Sequence, residues 1–116
     1  MSEPIQVKFA PSFQKDIKRL GKKYPKIKTD LSPLIKQLEN GETPGDAIQG
    51  VGYEVYKVRV RNSDVQRGKS GGYRVIYYVQ TEDAVILLII YTKSEIEDVD
   101  AGQILRAMDN LYLPEE

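Results

Sequence analysis

Apolar residues recur at helical spacing through the first forty residues of the chain. The first set, with lysines and arginines between its members, is Phe13, Ile17, Leu20 and Tyr24. It predicts an amphipathic helix from about Ser12 to the Tyr24-Pro25 step. The second set is Ile27, Leu31, Leu34, Ile35 and Leu38. It predicts a second helix ending at Asn40-Gly41, in which Pro33 either causes a kink or stands in the first turn after a Ser32 cap.

The period of the pattern changes from helical to two after a loop rich in glycine and proline, residues 42–52. Apolar Tyr56, Val58 and Val60 alternate with Lys57, Arg59 and Arg61, which predicts a strand with one buried face and one cationic face. Two further strands follow, at residues 72–80 and 85–91, separated by a short turn. The last strand is apolar on both faces, so we expect it inside the sheet rather than at an edge.

The two ends of the chain complete the predicted fold. Residues 5–9 weakly indicate an N-terminal strand, and Asp100 with Gln103 resembles a capping box that opens a final helix. The apolar positions of that helix are Ile104, Leu105, Met108, Leu111 and Tyr112. The sequence therefore predicts an α+β fold: an N-terminal helical hairpin packed on a twisted antiparallel β-sheet, with a C-terminal helix.

Length and composition limit the class of protein. A chain of 116 residues with 41% hydrophobic and 29% charged residues is typical of one globular domain, which we expect to span residues 1–116. The longest apolar run, Ala84 to Tyr91, is too short to cross a bilayer as a helix. The N-terminus lacks the layout of a signal peptide. These features predict a cytoplasmic protein that does not engage a membrane.

The chain contains no cysteine and no histidine. Disulfides, zinc fingers, cysteine nucleophiles and Ser-His-Asp triads are therefore excluded. Any chemistry must use Lys, Arg, Tyr, Ser, Thr or carboxylates, and no cofactor is expected.

A formal net charge of zero conceals a strong asymmetry. Residues 1–80 carry a net charge of +7 and residues 81–116 carry −7, while the stretch from Lys57 to Arg74 alone carries +5. Such a density of cations favours a polyanionic partner, although a solvated face is the more ordinary explanation of a basic stretch. Interleaved tyrosines also suit stacking on single-stranded RNA, or simple packing in the core.

Four carboxylates precede the predicted last helix, and they are Glu95, Glu97, Asp98 and Asp100. Their spacing matches no calcium-binding loop, and carboxylates at this place complement the dipole of a helix N-terminus. We therefore predict no metal site.

Three segments of the chain resemble a known family. They are Tyr56 to Val60, the string GKSGGYRVIYY from Gly68 to Tyr78, and Leu87 to Ser94. Together with the order of elements they resemble the RelE/ParE superfamily of toxins from bacterial toxin-antitoxin modules, and most closely its HigB-like branch. The resemblance extends over nearly the whole chain.

The resemblance implies a ribosome-dependent mRNA endonuclease that is neutralised by a cognate antitoxin. In this family the 2′-hydroxyl of one nucleotide attacks the adjacent phosphate without a metal ion, and preorganised cations stabilise the charge that develops. The implied catalytic residues are Lys57, Arg59, Arg74, Tyr91 and Lys93. The implied RNA- or phosphate-binding residues are Arg61, Arg67, Lys69 and Tyr73.

The sequence departs from the best-known RelE pattern after the last strand. Where that pattern has an arginine followed by a tyrosine near the C-terminus, this chain has Ser94 and an acidic stretch that ends at Asp100. Two other functions therefore stay open: a ParE-like DNA gyrase poison with no nuclease site, and a toxin-like interaction module without activity.

Overall fold

The computed structural model describes residues 4–65 and 72–112. Within these ranges the chain forms three helices, α1 (Pro11–Gly21), α2 (Ile27–Glu39) and α3 (Ala101–Asp109), and five strands. The strands are β1 (Gln6–Phe9), β2 (Asp46–Ala47), β3 (Val55–Val60), β4 (Tyr73–Thr81) and β5 (Ala84–Thr92). A short 3₁₀ turn, Asn110–Tyr112, follows α3. The α+β prediction is confirmed.

The helical hairpin forms where the apolar spacing predicts it. Helix α1 begins at Pro11, whose ring presets the backbone for a first helical turn, and it buries Phe13, Ile17 and Leu20. It ends at Gly21, earlier than the predicted Tyr24-Pro25 step. Helix α2 begins at Ile27, so Pro33 lies in its interior and not in a first turn capped by Ser32.

The sheet is mixed rather than purely antiparallel, in the order β1-β5-β4-β3-β2. The predicted meander β3-β4-β5 is antiparallel, and β5 lies inside the sheet as expected. The predicted antiparallel sheet is wrong at the two edge strands, β1 and β2. Strand β1 exists as anticipated but runs parallel to β5, and the two-residue strand β2 lies in a segment predicted as loop.

Strand β1 pairs with only the first part of β5, from Ala84 to Leu87. Beyond that point side chains of α1 satisfy the outer edge of β5. The Ser12 hydroxyl donates to the carbonyl of Leu88 at 2.6 Å, and the Ile90 amide donates to Asp16 at 3.1 Å. Helix α1 therefore fixes the position of β5 by hydrogen bonds as well as by packing.

The C-terminal helix begins as its sequence predicts. The carboxylate of Asp100 accepts from the Gln103 amide, and the Gln103 side chain accepts from the Asp100 amide, which is a complete capping box. Ile104, Ala107 and Met108 of this helix are buried in the single core. Among the described residues, no helix has the length and apolar character required to cross a membrane.

A glycine turn brings the loop before β2 against the backbone of β3. Tyr77 donates a hydrogen bond to the carbonyl of Pro44, and Gly45 follows with a φ of +95°. A Cβ atom on Gly45 would lie 2.3 Å from the carbonyl oxygen of Lys57, so only glycine fits.

We predict that Gly45→Ala destabilises the fold much more than Gly50→Ala. Both glycines have positive φ, but a Cβ on Gly50 meets no atom within 4 Å. The strain of positive φ alone costs roughly 1 kcal/mol, whereas the added clash at Gly45 brings the loss to about 3 kcal/mol or more. Urea unfolding measures both variants, and equal losses would show that close approach to β3 is unimportant.

Candidate functional site

The register of the sheet brings two arginines and one tyrosine that were predicted to be catalytic into one row. Arg59 of β3 is the cross-strand partner of Arg74 of β4, and Arg74 is the partner of Tyr91 of β5. Directly opposed residues project from the same face of a sheet. Lys57, two residues before Arg59, belongs to this face as well. The structure therefore brings together four of the five residues predicted to be catalytic.

A pocket of about 460 Å³ lies beside this row, at the edge of β3 where its pairing with β2 ends. Its lining consists of Gly45, Asp46, Lys57, Val58, Arg59 and Arg74. Three of these six residues are cationic. The pocket is a concave surface at which one anionic group can meet several positive charges.

Arg74 is the most buried cation of the row. It is 8% exposed, and the hydrogen bond recorded for its guanidinium is a long one, 3.4 Å to the carbonyl of Gly72. Within residues 4–65 and 72–112, neither Arg74 nor Arg59 has a carboxylate within salt-bridge distance. Burying a cation without an acid is costly, and so is opposing two like charges across strands. Both costs fall if an external anion binds between them.

One carboxylate oxygen connects Tyr91 with Lys57. Oδ1 of Asp98 accepts a hydrogen bond from the Tyr91 hydroxyl at 2.9 Å, from Lys57 Nζ at 3.4 Å, and from the amide of Val99 at 2.9 Å. The Asp98 side chain stays 60% exposed at the surface. Asp98 therefore belongs to the site, which sequence reasoning missed by assigning it to the helix dipole.

The contacts of Asp98 shift two pKa values in opposite directions. Burial, with the hydrogen bond and the charge of Asp98, raises the pKa of Tyr91 to about 12, so the phenol is neutral at pH 7. Slight desolvation acts to raise the pKa of Asp98, but the hydrogen bonds from Tyr91 and Val99 and the charge of Lys57 outweigh it. The pKa of Asp98 is lowered, and the carboxylate is ionised at neutral pH.

The other predicted site residues lie apart from this row. Tyr73 is fully buried, and it packs edge-on against Tyr24 with 5.8 Å between ring centroids. Its ring offers no surface for stacking on a base, which corrects its assignment to RNA binding. Arg61 and Lys93 are exposed, each one residue beyond the end of its strand. Arg67 and Lys69 lie outside the described residues.

Two other acids of the stretch after β5, Glu95 and Asp100, have structural partners. Glu95 accepts from Arg19 at 3.1 Å and from the Thr92 amide, and Asp100 caps α3. Over the described part of the chain, carboxylates form no cluster of three that could hold a metal ion. The acidic stretch after β5 thus serves mainly to fix the β5–α3 connection.

Comparison with known proteins identifies the family of this chain, the toxins of type II toxin-antitoxin systems. The family described as "ParE toxin of type II toxin-antitoxin system, parDE" matches residues 7–96, and the chain belongs to it. A double arginine-to-alanine mutant of the Escherichia coli toxin RelE in its free state has a similar structure, with a TM-score of 0.55 and 18% sequence identity. The match covers 97% of this chain and 100% of that one, so the RelE fold is shared throughout.

We predict that Tyr91→Phe flattens the alkaline loss of stability. The pKa of Tyr91 is raised from 10.0 to about 12 on folding, so the stabilisation from the neutral phenol is complete below pH 10 and is lost as the pH rises to about 12. The phenylalanine variant has no phenol to ionise at this position. Its free energy of unfolding should therefore fall less steeply over this interval.

Urea unfolding at fixed pH values between roughly 9 and 12, a range that includes both pKa values, measures this slope. Tyr53→Phe, which removes the hydroxyl of a half-exposed ring, is the matched control. A Tyr91→Phe slope as steep as that of the wild-type protein would mean that Tyr91 does not titrate in this range.

Proposed function

We propose that this type II toxin is an mRNA endonuclease of the HigB-like branch, acting on mRNA within the ribosome and requiring no metal. The observation that carries the proposal is the pair Arg59–Arg74, two opposed cations without a carboxylate partner among the described residues, beside an open pocket. A protein that only docks on another protein has no evident need for an uncompensated buried arginine.

The arginine pair suits a scissile phosphate. A guanidinium holds phosphate oxygens through two parallel hydrogen bonds, and its charge remains fixed at all relevant pH values. The negative charge on the phosphoryl oxygens grows in the transition state. Preorganised cations in a partly water-excluded pocket therefore stabilise that state more than the ground state.

In the proposed reaction the 2′-hydroxyl oxygen attacks the adjacent phosphorus. The new bond joins O2′ to phosphorus, the bond from phosphorus to O5′ breaks, and the products are a cyclic phosphate and a 5′-hydroxyl. One proton leaves the attacking hydroxyl and one reaches O5′. Water does not enter the products of this step.

The proton transfers fall to the groups around Asp98. Ionised Asp98 is suited to accept the proton of the attacking hydroxyl. Lys57, which contacts the same carboxylate, is suited to orient the RNA and to support the leaving oxygen. Tyr91 is neutral and donates to Asp98, so its role in this proposal is to position the carboxylate.

We predict that Arg74→Ala and Arg59→Ala each slow cleavage of ribosome-bound mRNA by about 10²- to 10³-fold, the usual loss for one transition-state donor. Lys36→Ala, which removes an exposed cation of α2 that does not line the pocket at β3, is the control and should cleave at the wild-type rate. Single-turnover cleavage of a labelled mRNA on programmed ribosomes gives the rates. Undiminished cleavage by folded Arg74→Ala protein would refute the assignment.

A second candidate function is poisoning of DNA gyrase, and the match of residues 7–96 to the parDE toxin family favours it. A supercoiling assay with purified gyrase separates the two functions. The nuclease proposal expects cleaved mRNA and normal supercoiling. Inhibited gyrase together with intact mRNA would replace the nuclease with the gyrase poison.

A further inference from the structure

Tyr53, in the loop before β3, is the most exposed aromatic ring among the residues whose side chains the structure describes. It is 49% exposed, whereas Tyr73, Tyr77 and Tyr91 are buried in the core. A single exposed ring is common on protein surfaces and needs no explanation by itself. Two features set Tyr53 apart, its place on the sheet and the way in which the loop holds it.

The ring of Tyr53 lies on the face of the sheet that carries the arginine pair. It packs against the ring of Tyr78, with 5.6 Å between centroids. Tyr78 is the cross-strand partner of Val55, and Val55 shares its face with Lys57 and Arg59 because side chains alternate along a strand. Tyr53 therefore continues a line that runs from the arginine pair through Lys57.

The length of this line suits a short piece of single-stranded RNA. Arg74 and Tyr78 are four residues apart on β4, which corresponds to about 13 Å. An unstacked single strand covers that distance with about two nucleotides. Lys57, whose side chain is 37% exposed, stands between the two ends of the line.

The loop that carries Tyr53 is anchored on both sides of this residue. Val51 is buried in the core, and the Ile48 amide donates to the carbonyl of Val55 at 2.8 Å. The ladder of β3 and β4 extends to Glu54, whose carbonyl accepts from the Val79 amide at 2.9 Å. The ring is thus held in place before any partner binds, which lowers the entropy lost on binding.

The contact with Tyr78 leaves a face of the Tyr53 ring open. The two ring planes stand at 77° to each other, a T-shaped arrangement. In either orientation of a T-shaped pair, Tyr78 covers at most one face of the other ring. A planar group can therefore stack on Tyr53 without displacing Tyr78.

We propose that Tyr53 is a stacking platform for a base of the mRNA, about two nucleotides from the phosphate held by Arg59 and Arg74. Aromatic rings that stack on bases, next to cations that hold phosphates, are the usual means of binding single-stranded nucleic acid. The inference rests on the proposed cleavage of RNA and adds a binding contact remote from the reacting atoms.

The neighbours of Tyr53 favour a base over a protein partner. Val55 and Ile76, the apolar residues between Tyr53 and the cations on this face, are 1% and 0% exposed. A helix that docks by its apolar side needs a groove lined by several accessible apolar side chains. Tyr53 offers a single flat ring, which matches a nucleobase in shape and size.

The first test measures cleavage of ribosome-bound mRNA over a range of toxin concentrations in single turnover. We expect Tyr53→Ala to raise the half-saturating concentration by about fivefold to a hundredfold, the usual loss for one stacked base. The maximal rate should stay within about threefold of wild type, because a remote contact stabilises ground state and transition state alike. Tyr53→Phe keeps the ring and should restore affinity, whereas Tyr53→Leu should behave like the alanine variant.

Phe9→Ala is the matched control. Phe9 is 37% exposed and packs against one further ring, Phe13, at 5.1 Å between centroids. It belongs to β1, at the opposite edge of the sheet from the cationic pocket. Its removal should leave the half-saturating concentration within about threefold of wild type. An equal loss in both alanine variants would show that the effect is not specific to Tyr53.

The second test removes the base instead of the ring. An abasic nucleotide is placed in turn at each position within about three nucleotides of the cleavage site. At one position the missing base should weaken the wild-type protein as much as Tyr53→Ala does, and the two changes together should cost no more than either alone. Losses that multiply at every position would contradict direct stacking.

The third test reports stacking without cleavage. The chain has no tryptophan, so Tyr53→Trp introduces a single indole, and stacking on a base should quench its fluorescence. The probe is a ribosome programmed with an mRNA that is 2′-O-methylated around the decoded codon and cannot be cut. We expect quenching with this complex but not with ribosomes that lack mRNA, and none for Phe9→Trp. Equal quenching by ribosomes without mRNA would mean that Tyr53 contacts the ribosome and not the message.

The outcomes separate this inference from the proposed function. If the wild-type protein cleaves mRNA and Tyr53→Ala has unchanged affinity, the platform is wrong and the nuclease stands. If Tyr53→Ala binds mRNA normally but loses affinity for the purified antitoxin, the ring is a protein contact. If the wild-type protein does not cleave ribosome-bound mRNA, the nuclease is wrong and the platform falls with it.

Discussion

The hydrogen-bonded register of β3, β4 and β5 is the constraint from which the site follows. It places Arg59, Arg74 and Tyr91 opposite one another in three different strands. A shift of one residue in either pairing would turn one arginine to the opposite face of the sheet, and the two arginines would no longer lie in one row. The apolar residues on the other face hold that register, because β5 is buried on both faces and cannot slip without exposing them. The free energy of the core thus maintains an electrostatically unfavourable arrangement that an anion can relieve.

Much of this arrangement could be predicted from local patterns. Alternation along β3 identified Lys57 and Arg59 as neighbours on one face, since side chains alternate with a period of two. The same rule shows why Tyr73 had to be buried, because it precedes Arg74 and must point to the opposite face. Lys93 would have shared the face of Tyr91, but β5 ends at Thr92. The sequence did not indicate that strand β5 ends one residue before Lys93.

Contacts between distant segments of the chain could not be predicted from the sequence. The pairing of β1 with β5 joins residues nearly eighty positions apart, and a four-residue strand carries no signal for parallel or antiparallel direction. Strand β2 has two residues and depends on the approach of Gly45 to β3. In the sequence, Asp98 cannot be distinguished from any other carboxylate that precedes a helix. Its place beside Tyr91 depends on the path of the β5–α3 connection, which Glu95 and the cap at Asp100 fix.

The cancelling charges of the chain are distributed unevenly along the sequence. Three acids after β5 are used within the molecule: Glu95 binds Arg19 and a strand amide, Asp98 joins Tyr91 to Lys57, and Asp100 caps α3. Among the described residues, these acids pair with two cations of the N-terminal part of the chain, Arg19 and Lys57. Cations line two separate surfaces, the pocket at β3 and a groove of about 700 Å³ between α1 and α2 that includes Lys18, Lys22 and Lys28. The two surfaces share no lining residue, so a partner can occupy one without directly covering the other, and substitutions at each can be tested separately.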